Sequence, residues 1–133
     1  MAHGKVGRLS MVAPVGPYSP AVRAGPWLVC SGQLGLSGLS DSPELVEGGL
    51  VAQARQALAN VGNLLAGRGL EWANVVKTTV YLTDMSHYAA FNEVYSDALG
   101  ANRPARSVVA VAGLPMGALV EIEVWAYDGS QAG

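Results

Sequence analysis

The chain carries eight Lys and Arg and ten Asp and Glu among 133 residues, so a charge set inside an apolar strand stands out. Three are set that way. Arg106 follows Pro104-Ala105 and opens an apolar run, and Glu121 and Glu123 alternate with Val120, Ile122 and Val124. Strand interiors are poor in glutamate, and charged groups are seldom buried without a partner. One reading makes these groups interface ions, or carboxylates of an edge strand facing water. The other gives them chemistry. A guanidinium at the mouth of an apolar pocket binds a carboxylate with two parallel hydrogen bonds. A nearby carboxylate can hold or deprotonate a water. Together they describe a site that hydrates or hydrolyses a small organic acid without a metal or other cofactor.

The remaining reactive types carry less. Cys30 lies in Trp27-Leu28-Val29-Cys30-Ser31 with no histidine close in sequence, so it reads as a small hydrophobe rather than a nucleophile. As the lone cysteine it forms no internal disulfide, and a reducing, cytoplasmic setting is expected. His3 and His87 are far apart and read as surface or helix-start residues, and no metal site is expected. Ser31-Gly32-Gln33 leaves a strand at a glycine whose backbone could approach a ligand or merely turn the chain.

The elements that must position these groups follow from periodicity. Met11–Val12 and Trp27–Ser31 read as short strands among Pro14, Gly16, Pro17, Pro20, Gly25 and Pro26. Gly32 to Gly49 reads as a surface loop. Leu50, Ala54, Leu58, Val61 and Leu65 form one stripe of a helix from Leu50 to Ala66, with Gln53, Gln56, Asn60 and Asn63 away from it. Val75 to Thr83 is rich in β-branched residues. A second helix begins near an Asp84 or Ser86 cap, carries Tyr88, Phe91, Tyr95 and Ala98, and closes at Gly100. Ser107 to Ala112 and Leu119 to Tyr127 are further strands. The order predicts one domain over residues 1–133, an α/β (α+β) fold of a single sheet with both helices on one face. On the last strand, Val120, Ile122, Val124 and Ala126 meet the helices, while Glu121, Glu123, Trp125 and Tyr127 point the other way. That second face is expected to mix apolar and aromatic groups with carboxylates and an arginine. Association of such faces into a closed oligomer would cover them. The net charge of −2 shows no basic stripe, so nucleic-acid binding is not expected. No apolar run is long enough to span a bilayer, and no membrane contact is expected.

Several strings follow one another in order: Gly16-Pro17-Tyr18-Ser19-Pro20-Ala21-Val22, Ser31-Gly32-Gln33, Ala52-Gln53-Ala54-Arg55-Gln56-Ala57-Leu58, Asn74-Val75-Val76-Lys77-Thr78-Thr79-Val80, Asn92-Glu93-Val94-Tyr95, Arg103-Pro104-Ala105-Arg106-Ser107 and Val120-Glu121-Ile122-Glu123. From about Val12 to Tyr127 the chain resembles the RidA (YjgF, L-PSP endoribonuclease-like) family of reactive-intermediate deaminases. The resemblance implies a chorismate-mutase-like sheet with two helices on one face and a homotrimer through the other, with sites in the clefts between chains. It implies hydrolysis of 2-imino acids, formed from enamines such as 2-aminoacrylate, to 2-oxo acids and ammonia, with no metal or cofactor. Carried over by motif, Arg106 would bind the substrate carboxylate and Glu121 would position the attacking water. Tyr18, Ser31, Gly32 and Asn92 would line the pocket. Many members carry a cysteine two residues after the arginine; here Val108 lines that position, which excludes a thiol-dependent role there. The stretch from Gly38 to Glu47 departs from the short family hairpin. Glu123, two residues beyond Glu121, is expected to stand outside the pocket. Competing readings are a ribonuclease or translation inhibitor, a non-catalytic small-acid-binding or chaperone-like protein, and a deaminase dedicated to one pathway.

Overall fold

The computed structural model describes residues 13–38 and 42–131. The expected strand Met11–Val12 and His3 lie outside them. Strands β1 (Ala21–Ala24) and β2 (Trp27–Cys30) pair as a hairpin across Gly25-Pro26, where Gly25 takes φ +60°. Strand β1 was not expected from its sequence: three of its four residues are exposed, and pairing with β2 is what makes it a strand. Next come β3 (Gln33–Leu34), β4 (Leu36–Ser37) and β5 (Glu44–Leu45), then helix α1 (Gly49–Ala66). Strand β6 (Val75–Leu82) leads into helix α2 (Tyr88–Leu99), strand β7 (Ala105–Ala110) and strand β8 (Val120–Tyr127).

The sheet runs β1-β2-β8-β6-β7, and β3 also pairs with β8. The β6–β7 pair is parallel, joined through α2, while every other pair is antiparallel. This makes a mixed α+β sheet. The alternation predicted for β8 holds: Val120, Ile122, Val124 and Ala126 are fully buried in one cluster with Leu50, Ala54, Leu58, Val61 and Leu65 of α1 and Phe91, Val94 and Leu99 of α2. Trp125 and Tyr127 are exposed on the opposite face, where Trp27 meets them edge-on at ring-centroid distances of 6.1 and 5.1 Å. Both helices therefore lie on one side. None of the described helices is long and apolar enough to cross a membrane.

Three expectations need correction. The stretch from Gly32 to Gly49 is not a simple surface loop. β4 and β5 pair with each other, and Leu34, Leu36 and Ala118 form a small second core. Gln53 and Asn60 do not stand clear of the buried side of α1. Both are buried, because irregular backbone packed against the helix needs partners. Asn60 Nδ2 donates to the Leu34 and Leu36 carbonyls at 3.0 and 2.9 Å, and Gln53 Oε1 accepts from the Leu119 N–H at 2.9 Å. Finally, Arg106 does not share a face with the carboxylates. It opposes Thr78 and Val108 opposes Val80, and both β6 partners are fully buried under the helices. Period-two alternation then puts Arg106 on the helix side of the sheet.

Candidate active site

One group of candidate residues gathers where β2 and β3 meet β8. After Cys30 the chain leaves its strand. Ser31 N–H donates to the Pro20 carbonyl at 2.8 Å and Ser31 Oγ to the Ser19 carbonyl at 2.6 Å, which ties down the segment bearing Tyr18. Tyr18 and Gly32 line a cavity of about 20 Å³ with Pro14, Gln33 and Asn60. On its other side Gly32 is the floor under Glu121: a Cβ added there would lie 2.6 Å from Oε2. Only glycine lets the carboxylate rest on the backbone at this point. The Glu121 carboxyl is held above the usual carboxylate range, first by burial and then by the Glu123 charge. Glu123 lines neither the Tyr18 cavity nor the cleft at β7, but its charge reaches Glu121. Tyr81, the register partner of Glu121, donates its hydroxyl to Glu123 Oε1. That hydrogen bond is the main cause pushing the Tyr81 phenol up to about 12.

A second group gathers at the edge strand β7, beneath α2. Asn92, Tyr95, Ser96, Arg103, Pro104 and Arg106 line a cleft of about 270 Å³. The Arg106 guanidinium carbon lies 4.8 Å from the Tyr95 ring centroid and 5.7 Å from that of Tyr88, and Nη2 donates to the Tyr88 hydroxyl at 3.1 Å. Tyr95 is itself held by a 2.9 Å hydrogen bond between its hydroxyl and that of buried Thr78. The guanidinium is thus oriented by aromatic rings and keeps donors to spare. Asn92 Oδ1 is buried and finds no donor among the described residues, so a ligand offering an N–H or O–H would satisfy it. Val108 is half-buried and packs on the main core.

The chain thus brings Tyr18, Ser31, Gly32 and Glu121 together, and separately Asn92 and Arg106, while Val108, two residues along β7, packs on the core and does not line the cleft. It does not bring the two groups to each other. Arg106 opposes Thr78, Thr78 opposes Val124, and Glu121 lies three residues along β8 from Val124. Two strand spacings across and three residues along place their Cα atoms about 14 Å apart, with the side chains on opposite faces. Tyr81, Tyr88, Tyr95 and Arg103 join these groups without having been singled out as site residues. In the sequence Tyr88 and Tyr95 show only as part of the α2 stripe, and the parallel β6–β7 pairing is what brings Arg106 beneath them. Cys30 is buried, and burial pushes its thiol up to about 11, against a smaller opposing effect of Arg68. His87 sits in the 3-10 turn Met85–His87, where Asp84 accepts from the Ser86 N–H. No three His, Cys, Asp or Glu residues among those described are placed to hold a metal ion.

A mixed sheet covered by two helices on one face, with a carboxylate seated on glycine and an arginine laid on tyrosines at its edge, defines a recognisable class of small α+β proteins. The profile of the endoribonuclease L-PSP family matches residues 9–128. The chain is 45% identical over 117 residues to a mouse protein named 2-iminobutanoate/2-iminopropanoate deaminase, covering 88% of this chain and 85% of the relative. The human protein of the same name is 43% identical over 115 residues, 86% of this chain and 82% of the relative. Among solved structures, RidA from an Antarctic Psychrobacter superposes with a TM-score of 0.82 at 42% identity, covering 89% of this chain and 94% of that one. E. coli TdcF, solved with bound serine, superposes with a TM-score of 0.81 at 33% identity, covering 90% and 94%. The chain belongs to the endoribonuclease L-PSP family, among its RidA-like members.

Proposed function

We propose that the protein hydrolyses 2-imino acids to 2-oxo acids and ammonia, as a homotrimer of chorismate-mutase-like packing whose sites form between neighbouring chains. The names of the mouse and human relatives favour this class of substrate. The observation that carries the reading is the placement of two complementary half-sites on opposite faces of one sheet. Neither can complete a reaction alone, whereas a second copy docking its carboxylate-bearing face near the β7 edge would join them. The exposed aromatic groups on the Trp125 face give such docking an apolar surface to bury.

In the assembled site, Arg106 of one chain holds the substrate carboxylate bidentately, with Asn92 beside it. Tyr18, Ser31 and Gly32 of the next chain line the opposite wall. Glu121 accepts a proton from water as the water oxygen bonds to the imine carbon. The nitrogen takes up that proton, and the proton of the adduct's new hydroxyl then passes by way of the Glu121 carboxylate to the nitrogen as the carbon–nitrogen bond breaks. Ammonia departs and the carbonyl of the 2-oxo acid remains. The imine carbon is already electrophilic, so orientation and one base suffice, and no cofactor enters the scheme. The test is ammonia release from 2-aminoacrylate generated in place by a dehydratase. Faster release with the protein, lost in Glu121→Gln, is expected. A rate equal to that of the dehydratase alone would refute the reading.

A further inference from the structure

Arg106 is not the only cation on its cleft. Arg103 lines the same 270 Å³ space, together with Asn92, Tyr95, Ser96 and Pro104, and no carboxylate lines it. Neither arginine forms an ion pair among the described residues, in contrast to Arg23, which is paired with Asp128 at 3.1 Å. Arg103 is also held in place. Its Nη1 donates to the Gly100 and Asn102 carbonyls at 2.6 and 2.8 Å, and Nη2 lies 3.5 Å from Ser96 Oγ. Gly100 and Asn102 follow the end of α2, so these bonds cap its C-terminus. A side chain serving only as a cap could point anywhere beyond its carbonyls. This one is pinned to the cleft wall, with Nε and part of Nη2 left to donate.

We infer that the cleft selects 2-imino acids whose side chain ends in a second carboxylate. Arg106 takes the carboxylate next to the imine carbon, and Arg103 takes the distal one. The inference rests on the imine-hydrolysis reading for the placement of the first carboxylate. An alkyl side chain would meet a fixed cation there and gain nothing from it. A distal carboxylate would meet donors already oriented, so little ordering remains to oppose binding.

The experiment compares two imines made in place by amino acid oxidases with catalase, one from glutamate and one from 2-aminobutanoate. The ratio of their kcat/KM values is read for the parent chain, Arg103→Gln and Arg103→Lys. Arg103→Lys keeps a cationic donor, and thermal unfolding checks that each variant is folded. The parent ratio is expected to favour the dicarboxylic imine about ten-fold or more, as for a charge-assisted hydrogen bond. Arg103→Gln should bring it close to one, and Arg103→Lys should restore part of it. Calorimetric binding of 2-oxoglutarate against 2-oxobutanoate reads the same preference without chemistry. A parent that prefers or equally accepts the alkyl acid overturns the inference, as does a preference unchanged in folded Arg103→Gln. If no imine is hydrolysed but 2-oxoglutarate binding is tighter and depends on Arg103, the dianion site stands and the hydrolytic reading falls. If the alkyl imine is hydrolysed and no dicarboxylate preference appears, only the inference falls.

Discussion

Mixing two dead variants should restore activity. Arg106→Ala removes the carboxylate clamp, and loss of a bidentate charged contact costs about 10²-fold in kcat/KM or more. Glu121→Gln removes the base, for something like 10²–10⁴-fold. The two Cα atoms lie about 14 Å apart on opposite faces of the sheet, so a site needing both must draw them from different chains. In trimers assembled at random from equal amounts of the two variants, about one interface in four pairs an intact Arg106 with an intact Glu121. Co-refolded mixtures should therefore reach about a quarter of parental activity per chain, far above either variant alone. The assay is ammonia release from 2-aminoacrylate, run on the unfractionated mixture and on mixed trimers isolated through two affinity tags, in which one interface in three is intact and about a third of parental activity is expected. Light scattering should give three times the 13.7 kDa chain mass. Mixed trimers no more active than the average of the two parents would refute the shared site.

Further outcomes follow from single positions. Gly32→Ala should leave stability within about 1 kcal/mol, because its Cβ would meet the movable end of Glu121, yet kcat should fall about 10²-fold as the carboxylate shifts. Gly35→Ala, whose Cβ would meet Gln53 backbone atoms at 2.6 Å, should instead lower the denaturation midpoint sharply. Glu123→Gln removes an anion that raises the Glu121 pKa, so the acid limb of kcat/KM should move to lower pH; a move upward would contradict that coupling. Cys30→Ser should keep turnover within a few-fold, because a thiol pushed up to about 11 is protonated at neutral pH. Burying its hydroxyl should cost about 1–3 kcal/mol in urea unfolding.

The regular parts of this fold were legible because they repeat. The Leu50-Ala54-Leu58-Val61-Leu65 stripe and the alternation of β8 depend on neighbours within one element. Strand β7 begins at Ala105 rather than Ser107, a shift that periodicity alone does not fix. What stayed hidden depends on partners distant in sequence. Alternation puts Arg106 and Val108 on one side of β7, but only their pairing with Thr78 and Val80 tells which face is buried. The β3–β5 segment has strands of two residues each, too short to show a period, and it is held by side chains of α1. Most residues assigned to the half-sites came from motif resemblance. Arg103, Tyr81 and Tyr88 could emerge only once the chain was folded.

The two buried amides of α1 reach further than local satisfaction. Gln53 and Asn60 stand seven residues apart, about 10.5 Å along the helix axis. One grips the entry to β8 at Leu119, the other the backbone at Leu34 and Leu36. The helix therefore serves as a gauge that sets the distance between two irregular pieces of chain, those that deliver Glu121 and Gly32 to each other. Sliding α1 by a turn, or inserting one residue between the amides, would throw the carboxylate off its glycine seat without touching either. Variation in this lineage should then be free in the solvent-facing positions of α1 and closed to any change in its length between Gln53 and Asn60.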